Sequence, residues 1–320
     1  MKSKEAMMTG RSLTTKLRGS FLACIILLSL TGLLAVAVPQ DDDTSRRFWP
    51  PNFRPAPART AATPKPVRYR RTTPALPKDA IPTETAREAV IGITVWRLRP
   101  AKESDDTRIL VTKGGKKTNW TPERVEAGMA FPAGQMLRLS IEVPRTGWLY
   151  VIDREEYADG TLSDPYLIFP LNPASDANKV TAGRVIELPN QSDDQAFFEV
   201  NSLRGAGQPV QVSERLTVLV TPEPLKELPK PTVNAQGEPQ PLRLPASKVD
   251  EWEKKWGAQT EQLEMENGAG TAWTRAEQAA GASAERQLTS DDPLPQTIIR
   301  IAARPGSPLL VRLPLRIAKP

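Results

Sequence analysis

Residues 147–170 read GWLYVIDREEYADGTLSDPYLIFP and carry five carboxylates, Asp153, Glu155, Glu156, Asp159 and Asp164, between two apolar runs. Acids at this density have three uses. Two of them held about 5–10 Å apart in a cleft can protonate a glycosidic oxygen and activate or form the nucleophile. Several at alternate positions can ligate calcium, with Gly at the sixth place and Glu at the twelfth. Otherwise they are the solvated tip of a hairpin. Counted from Glu155, Gly160 falls at the sixth place, but Tyr157 fills the third and Tyr166 the twelfth, so the calcium pattern fails. Asp159-Gly160 is a turn dipeptide between runs suited to antiparallel pairing. The connection 153–165 is longer than common hairpin loops, a length that favours function. The favoured expectation is a plain solvated loop. The five acids remain the candidates for a ligand or cation loop, and Glu155, Glu156 and Asp159 those for a carboxylate enzyme.

The remaining residue types narrow the chemistry further. The chain has no histidine, and its one cysteine is Cys24. Serine and cysteine nucleophile systems need an imidazole to carry the proton, and zinc sites are built from Cys and His. No GxxxxGK[ST] phosphate loop is present. No catalytic residue, cofactor or metal site is expected.

Residues 21–38, FLACIILLSLTGLLAVAV, form an uncharged apolar run preceded by Lys16 and Arg18 and followed by Pro39 and three aspartates. With Ala35-Val36-Ala37 as a small-x-small site, residues 1–38 read as a signal peptide, or as an uncleaved membrane anchor, since the run just spans a bilayer. Residues 39–90 are rich in proline and arginine, from Pro50-Pro51 to Pro82, and read as a disordered, extended spacer. Charge follows this division. Residues 1–40 hold five Lys/Arg against one acid, residues 41–90 ten against six, and residues 91–320 twenty-eight against thirty. The overall +6 therefore belongs to the leader and spacer, which argues against a nucleic-acid-binding domain.

From Ile91 the pattern is that of strands. IGITVWRL (91–98) is rich in β-branched residues, and LRLSIEV (137–143) alternates Leu137, Leu139, Ile141 and Val143 with Arg138, Ser140 and Glu142, as a sheet with one wet face does. WLYVI (148–152) and YLIF (166–169) are apolar on both faces and are expected to pair centrally, with Trp148, Tyr150, Ile168 and Phe169 in the core. Short strands are expected at 184–188, 196–200 and 215–221, and a loop or single helical turn in WTPERVEAGMAFPAGQ. A helix is expected at about 247–266, capped by Ser247 with Asp250, with Val249, Trp252, Trp256 and Leu263 on one stripe. Trp252 and Trp256 read as docking knobs. A second helix is expected at about 274–282, and a terminal hairpin turning at Pro305-Gly306. The fold class is then mainly β: an antiparallel sandwich of the immunoglobulin-like class over residues 91–320, with a helical insertion and a terminal β-hairpin.

Gly147-Trp148-Leu149-Tyr150-Val151, the acidic Asp-Gly turn, Ile168-Phe169-Pro170, Ala182-Gly183 and Leu188-Pro189, in that order, resemble the bacterial domain of unknown function 4384 over about residues 125–222. Members of that family are typically exported or membrane-linked and have no agreed activity. The resemblance therefore implies a fold and a location, with no catalytic residues. The last hundred residues lie outside the shared pattern.

Together these readings lead to the expectation of a non-enzymatic cell-envelope module, exported or membrane-tethered, binding a protein or a wall polymer. The alternatives are a carboxylate hydrolase of envelope glycans and a calcium-dependent adhesion or signalling module. A reporter active only outside the cytoplasm should be exported when fused behind residues 1–90; cytoplasmic retention of the fusion would contradict the envelope location.

Overall fold

The computed structural model describes residues 67–76, 87–113, 115–173, 175–190, 197–200, 209–226, 228–234, 240–282, 286–289 and 291–319. The expected leader and most of the expected spacer lie outside the described residues. No helix among the described residues is long and apolar enough to cross a membrane.

In chain order the elements begin with β1 (Tyr69–Arg71), β2 (Arg87–Pro100), β3 (Ile109–Lys113) and β4 (Lys116–Val125). Next come β5 (Ala130–Phe131), β6 (Met136–Glu142), β7 (Gly147–Tyr157) and β8 (Tyr166–Phe169). These are followed by β9 (Lys179–Val180), β10 (Val185–Leu188), β11 (Phe198–Glu199), β12 (Gln211–Thr221) and β13 (Leu242–Arg243). The chain finishes with α1 (Ala246–Trp256), β14 (Thr260–Met265), α2 (Arg275–Gly281), β15 (Thr297–Ala303) and β16 (Leu309–Ile317).

The fold is mainly β, a two-sheet sandwich. One sheet runs β1-β14-β15-β2-β4-β3, with β6 on the other flank of β2 and with β10 and β11 beside β6. The other runs β13-β8-β7-β12-β16-β5, with β9 beside β7. Every pairing is antiparallel except β16 with β5. β15 and β4 share one flank of β2, and the handover falls at Thr94, whose Oγ1 accepts a hydrogen bond from the Gln296 amide at 3.0 Å. Ile91, Ile93, Val95, Leu139 and Ile141 of the first sheet meet Leu149, Val151, Val218, Val220 and Leu313 of the second in one core.

Each sheet is also covered on its outer face. On the second sheet, Tyr150, Ile152, Leu167, Leu219 and Leu310 pack under Val249 and Trp252 of α1, with Trp148 and Trp256 at the margin. Ile168 and Phe169 are half-buried against the main core. On the first sheet the cover is partly ionic. Arg138 and Glu187, each about 2 % exposed, pair at 3.1 Å, and Arg124 pairs with Glu277 of α2 while its guanidinium lies over the Trp96 ring. The expected one-sided sheet at 137–143 is thus corrected: Arg138 points into a second, polar interior. Gly147 is required where β7 meets the end of β12, since a Cβ there would lie 2.3 Å from the Thr221 carbonyl oxygen.

Several local expectations are also corrected. The helix expected to reach residue 266 ends at Trp256, where Gly257 donates to the Glu253 carbonyl at 2.9 Å. Thr260–Met265 then joins the first sheet as β14, so Leu263 leaves the tryptophan stripe. Ser247 does not cap this helix, which starts after Pro245, and Asp250 instead accepts from Arg154 Nη1 at 2.7 Å. A capping box forms at Thr274 and Glu277 of α2. WTPERV is strand rather than loop, and Pro122 within it still accepts from the Trp273 amide at 2.8 Å. β15 and β16 are not a hairpin: Pro305-Gly306 carries the chain from one sheet to the other. Part of the expected spacer, Tyr69–Arg71, is a sheet strand. With nine and seven strands, the two sheets exceed the roughly seven to nine in total of an immunoglobulin domain.

Trp252 is 5 % exposed and Trp256 half-buried. Trp252→Ala should cost about 3–5 kcal/mol in denaturant melts, and Trp256→Ala under about 2 kcal/mol, because only the first leaves a cavity over the sheet.

Candidate functional site

The five acids of residues 153–164 are not gathered on one loop. β7 extends through Tyr157 because β12 pairs with it throughout, with Asp153 opposite Leu216, Glu155 opposite Glu214 and Glu156 opposite Ser213. The expected loop 153–165 shrinks to 158–165, and Asp153, Glu155 and Glu156 are strand residues. Alternation along β7 puts Asp153 and Glu155 on the inter-sheet face with Leu149 and Val151, and Glu156 on the α1 face with Tyr150 and Ile152. Glu156 accepts from Ser213 Oγ at 2.7 Å. Glu155 accepts from the Tyr157 hydroxyl, a bond that helps push the Tyr157 pKa up to about 12.

Asp159 is a turn residue. It accepts from the Thr161 amide and hydroxyl at 3.0 and 2.7 Å, which holds its pKa below the usual carboxylate value. Gly160, at φ 83°, completes the turn. Asp164 pairs with Arg243 at the surface. Solvated turn residues therefore describe Asp159 and Asp164, and not the other three. Among the described residues, no three acidic side chains converge as a metal-ligating group.

The acid that meets Asp153 is one that the sequence reading passed over. Glu214 alternates with Leu216, Val218 and Val220, so it enters the inter-sheet face at the same end of the sandwich. Its only signal in the sequence was an acid in phase with an apolar face. Asp153 Oδ1 and Glu214 Oε2 are both buried without a hydrogen-bond partner. Burial pushes both carboxyls up; Asp153 raises Glu214 further, whereas the contact with Glu214 lowers Asp153, and Gln211 Nε2 and the nearby Glu155 complete the surroundings. A single proton held between them serves both oxygens and removes one buried charge.

Two grooves lie elsewhere. The larger, about 640 Å³, is lined by strands β1, β14, β2 and β4, with Arg70, Arg97, Glu123, Glu126, Gln262 and Glu264 on its walls. Arg70 pairs with Glu126 at 2.5 Å and Arg97 with Glu123 at 2.5 Å. Glu264 is buried, which raises its pKa, while Thr297 Oγ1 and Gln262 Nε2 donate to it at 2.9 and 3.0 Å. The second groove, about 470 Å³, runs between α1 and residues 221–226. Trp252 and Trp256 stack there at 6.0 Å beside Pro222, Pro224 and Lys255.

The carboxyl pair makes a signed prediction. An acid whose pKa is raised on folding stabilises the fold below its unfolded pKa, and that contribution is lost as pH rises towards the folded value. Stability should fall from about pH 4 towards pH 9 as the pair loses its proton. Glu214→Gln keeps the acceptor for Gln211 and removes the charge, so it should flatten that fall and gain more than about 1 kcal/mol at pH 8. Urea melts from pH 4 to 9 test this; parallel profiles for the two proteins would show that the pair carries no shared proton. Comparison of the chain with protein-family models, with curated proteins and with solved structures gave no match.

Proposed function

We propose that this chain is a non-enzymatic cell-envelope module, exported or held at the membrane by residues 21–38, whose β-sandwich binds a protein or a wall polymer. The resemblance to the domain of unknown function 4384 family supports the location. One observation carries the binding reading: arginine and glutamate pair on the walls of the larger groove, Glu264, the raised carboxyl that lines it, is held by hydrogen bonds from Thr297 and Gln262, and the carboxyl pair of Asp153 and Glu214 stands between the sheets and lines neither groove. Neutralised, groove-lining ion pairs suit recognition of a polar partner better than proton transfer.

A second reading is a carboxylate hydrolase of envelope glycans. The raised pKa values of Asp153 and Glu214 favour it, since a general acid needs a proton near neutral pH. In that reading these two take the place of Glu155, Glu156 and Asp159 as the candidate catalytic acids.

Pull-down from envelope extracts separates the readings. A chain carrying Glu155→Gln, Glu156→Gln and Asp159→Asn should capture the same partners as the parent, with the exposed Asp159→Asn change alone altering stability by only about 0.5 kcal/mol. Loss of the captured partner would place the site at these acids. Turnover of wall glycans that disappears in Glu214→Gln would favour the hydrolase.

A further inference from the structure

The edge of the first sheet is completed by a segment that the sequence assigns to the tether. Tyr69, Arg70 and Arg71 pair with Met265, Glu264 and Leu263. The pairing runs on at both ends: the Glu266 amide donates to the Arg68 carbonyl at 2.9 Å and the Thr72 amide to the Gln262 carbonyl at 2.9 Å, while the Gln262 amide donates to the Thr73 side-chain hydroxyl at 2.6 Å. Among the side chains, Tyr69 Oη donates to the Pro295 carbonyl at 2.6 Å, Arg70 pairs with Glu126, and Arg71 pairs with Glu261.

The two sides of this contact differ. None of residues 67–76 is buried; Arg70 and Arg71 leave 48 % and 53 % of their side chains in solvent. The acceptor is interior, with Glu261 and Glu264 buried and held from behind by Arg300 and by Thr297 and Gln296. The acceptor is therefore built into the sheet, while the strand laid on it is held by one exposed and one part-buried ion pair, one tyrosine and a few main-chain bonds. Such pairs are weak and salt-screened. An uncovered edge of this kind pairs readily with any extended chain of the right side chains. Charge defines what those are: Glu126, Glu264 and Glu266 all act on Arg70, in that order, and hold its pKa up. Arg70 and Thr72 also form one wall of the larger groove, so removing this strand opens the groove.

We propose that the β14 edge is a binding site for an extended, arginine-bearing segment of a partner protein, and that residues 68–73 are its built-in competitor. The partner strand places a cation opposite Glu126 and another opposite Glu261, and its backbone takes the Gln262 and Glu266 bonds. This rests on the reading of the chain as a binding module, and it names where and what that module binds. Strand exchange then couples binding to release of the tether from the body.

The test uses the full chain with a protease site replacing residues 79–84, and a fluorescent synthetic peptide of residues 65–75 as the probe. Before cutting, the attached strand should exclude the peptide. After cutting, the peptide should bind at least tenfold more tightly, weaken between 0.05 and 0.5 M salt, and fail to bind when its Arg70 and Arg71 are glutamates. Should cutting unfold the protein, the uncut chain with Arg70→Glu and Arg71→Glu serves instead, and it should take up the peptide at least tenfold better than the parent. Equal binding by cut and uncut chains, equal binding of a scrambled peptide, or no binding by a folded, loosened chain would overturn the proposal. Peptide exchange without any partner captured from envelope extracts would count against the envelope-module reading and leave the strand site standing.

Discussion

A strand that is apolar on both faces cannot complete its burial in a two-layer sandwich. Leu149 and Val151 of β7 fill the space between the sheets, and Tyr150 and Ile152 point the other way. Much of the second half of the chain answers that requirement. α1 lies across β7, β12 and β16, with Val249 and Trp252 pressed onto Tyr150 and Leu219. The proline-rich connection before it is tied down by the Leu225 amide, which donates to the Tyr150 hydroxyl at 2.9 Å. The tyrosine thus offers an apolar ring to the helix and a polar tip to a loop that has little secondary structure of its own.

The other sheet meets the same requirement with charge. Arg138 and Arg124 project from its outer face and are answered by Glu187, near the end of α2, and by Glu277 within it. α2 can approach this closely because Gly281 has no Cβ; one placed there would fall 1.9 Å from Glu187 Oε1. Such pairs add little net stability over apolar packing, but loss of one partner leaves a buried charge unanswered. The Asp153–Glu214 pair is the opposite case, two like charges at the end of an apolar stripe, and it is tolerable only with a proton between them.

The fold class was readable because its signals are local. Alternation in residues 137–143 and continuous apolar runs at 148–152 and 166–169 need no knowledge of the partner strand. What failed depended on partners distant in sequence. TEQLEM carries both helical and strand periodicity, and only its ladder with β15 decides between them. Pro305-Gly306 shows a turn but not which sheets it joins. Asp153 and Glu155 looked wet because the pairing of β12 with β7 as far as Tyr157 lies in the tertiary structure. Arg138 looked solvent-facing because its cover comes from residues about 50 positions later. The acids that the sequence placed together were separated by strand alternation, and the one that meets Asp153 lies about sixty residues away on the next strand.

Two kinds of contact follow from this construction: a body whose strands are covered on both faces, and an edge where an arginine-bearing segment is laid on from outside. Hydrogen exchange on the full chain measures both at once. The amides of Leu149 to Ile152 should exchange only through global unfolding, while those of Gln262 and Glu266, bonded to Thr73 and Arg68, should exchange at least about a hundredfold faster and accelerate further in high salt. Equal, salt-independent protection at the two places would contradict the account, because it would make the edge strand as integral to the fold as β7.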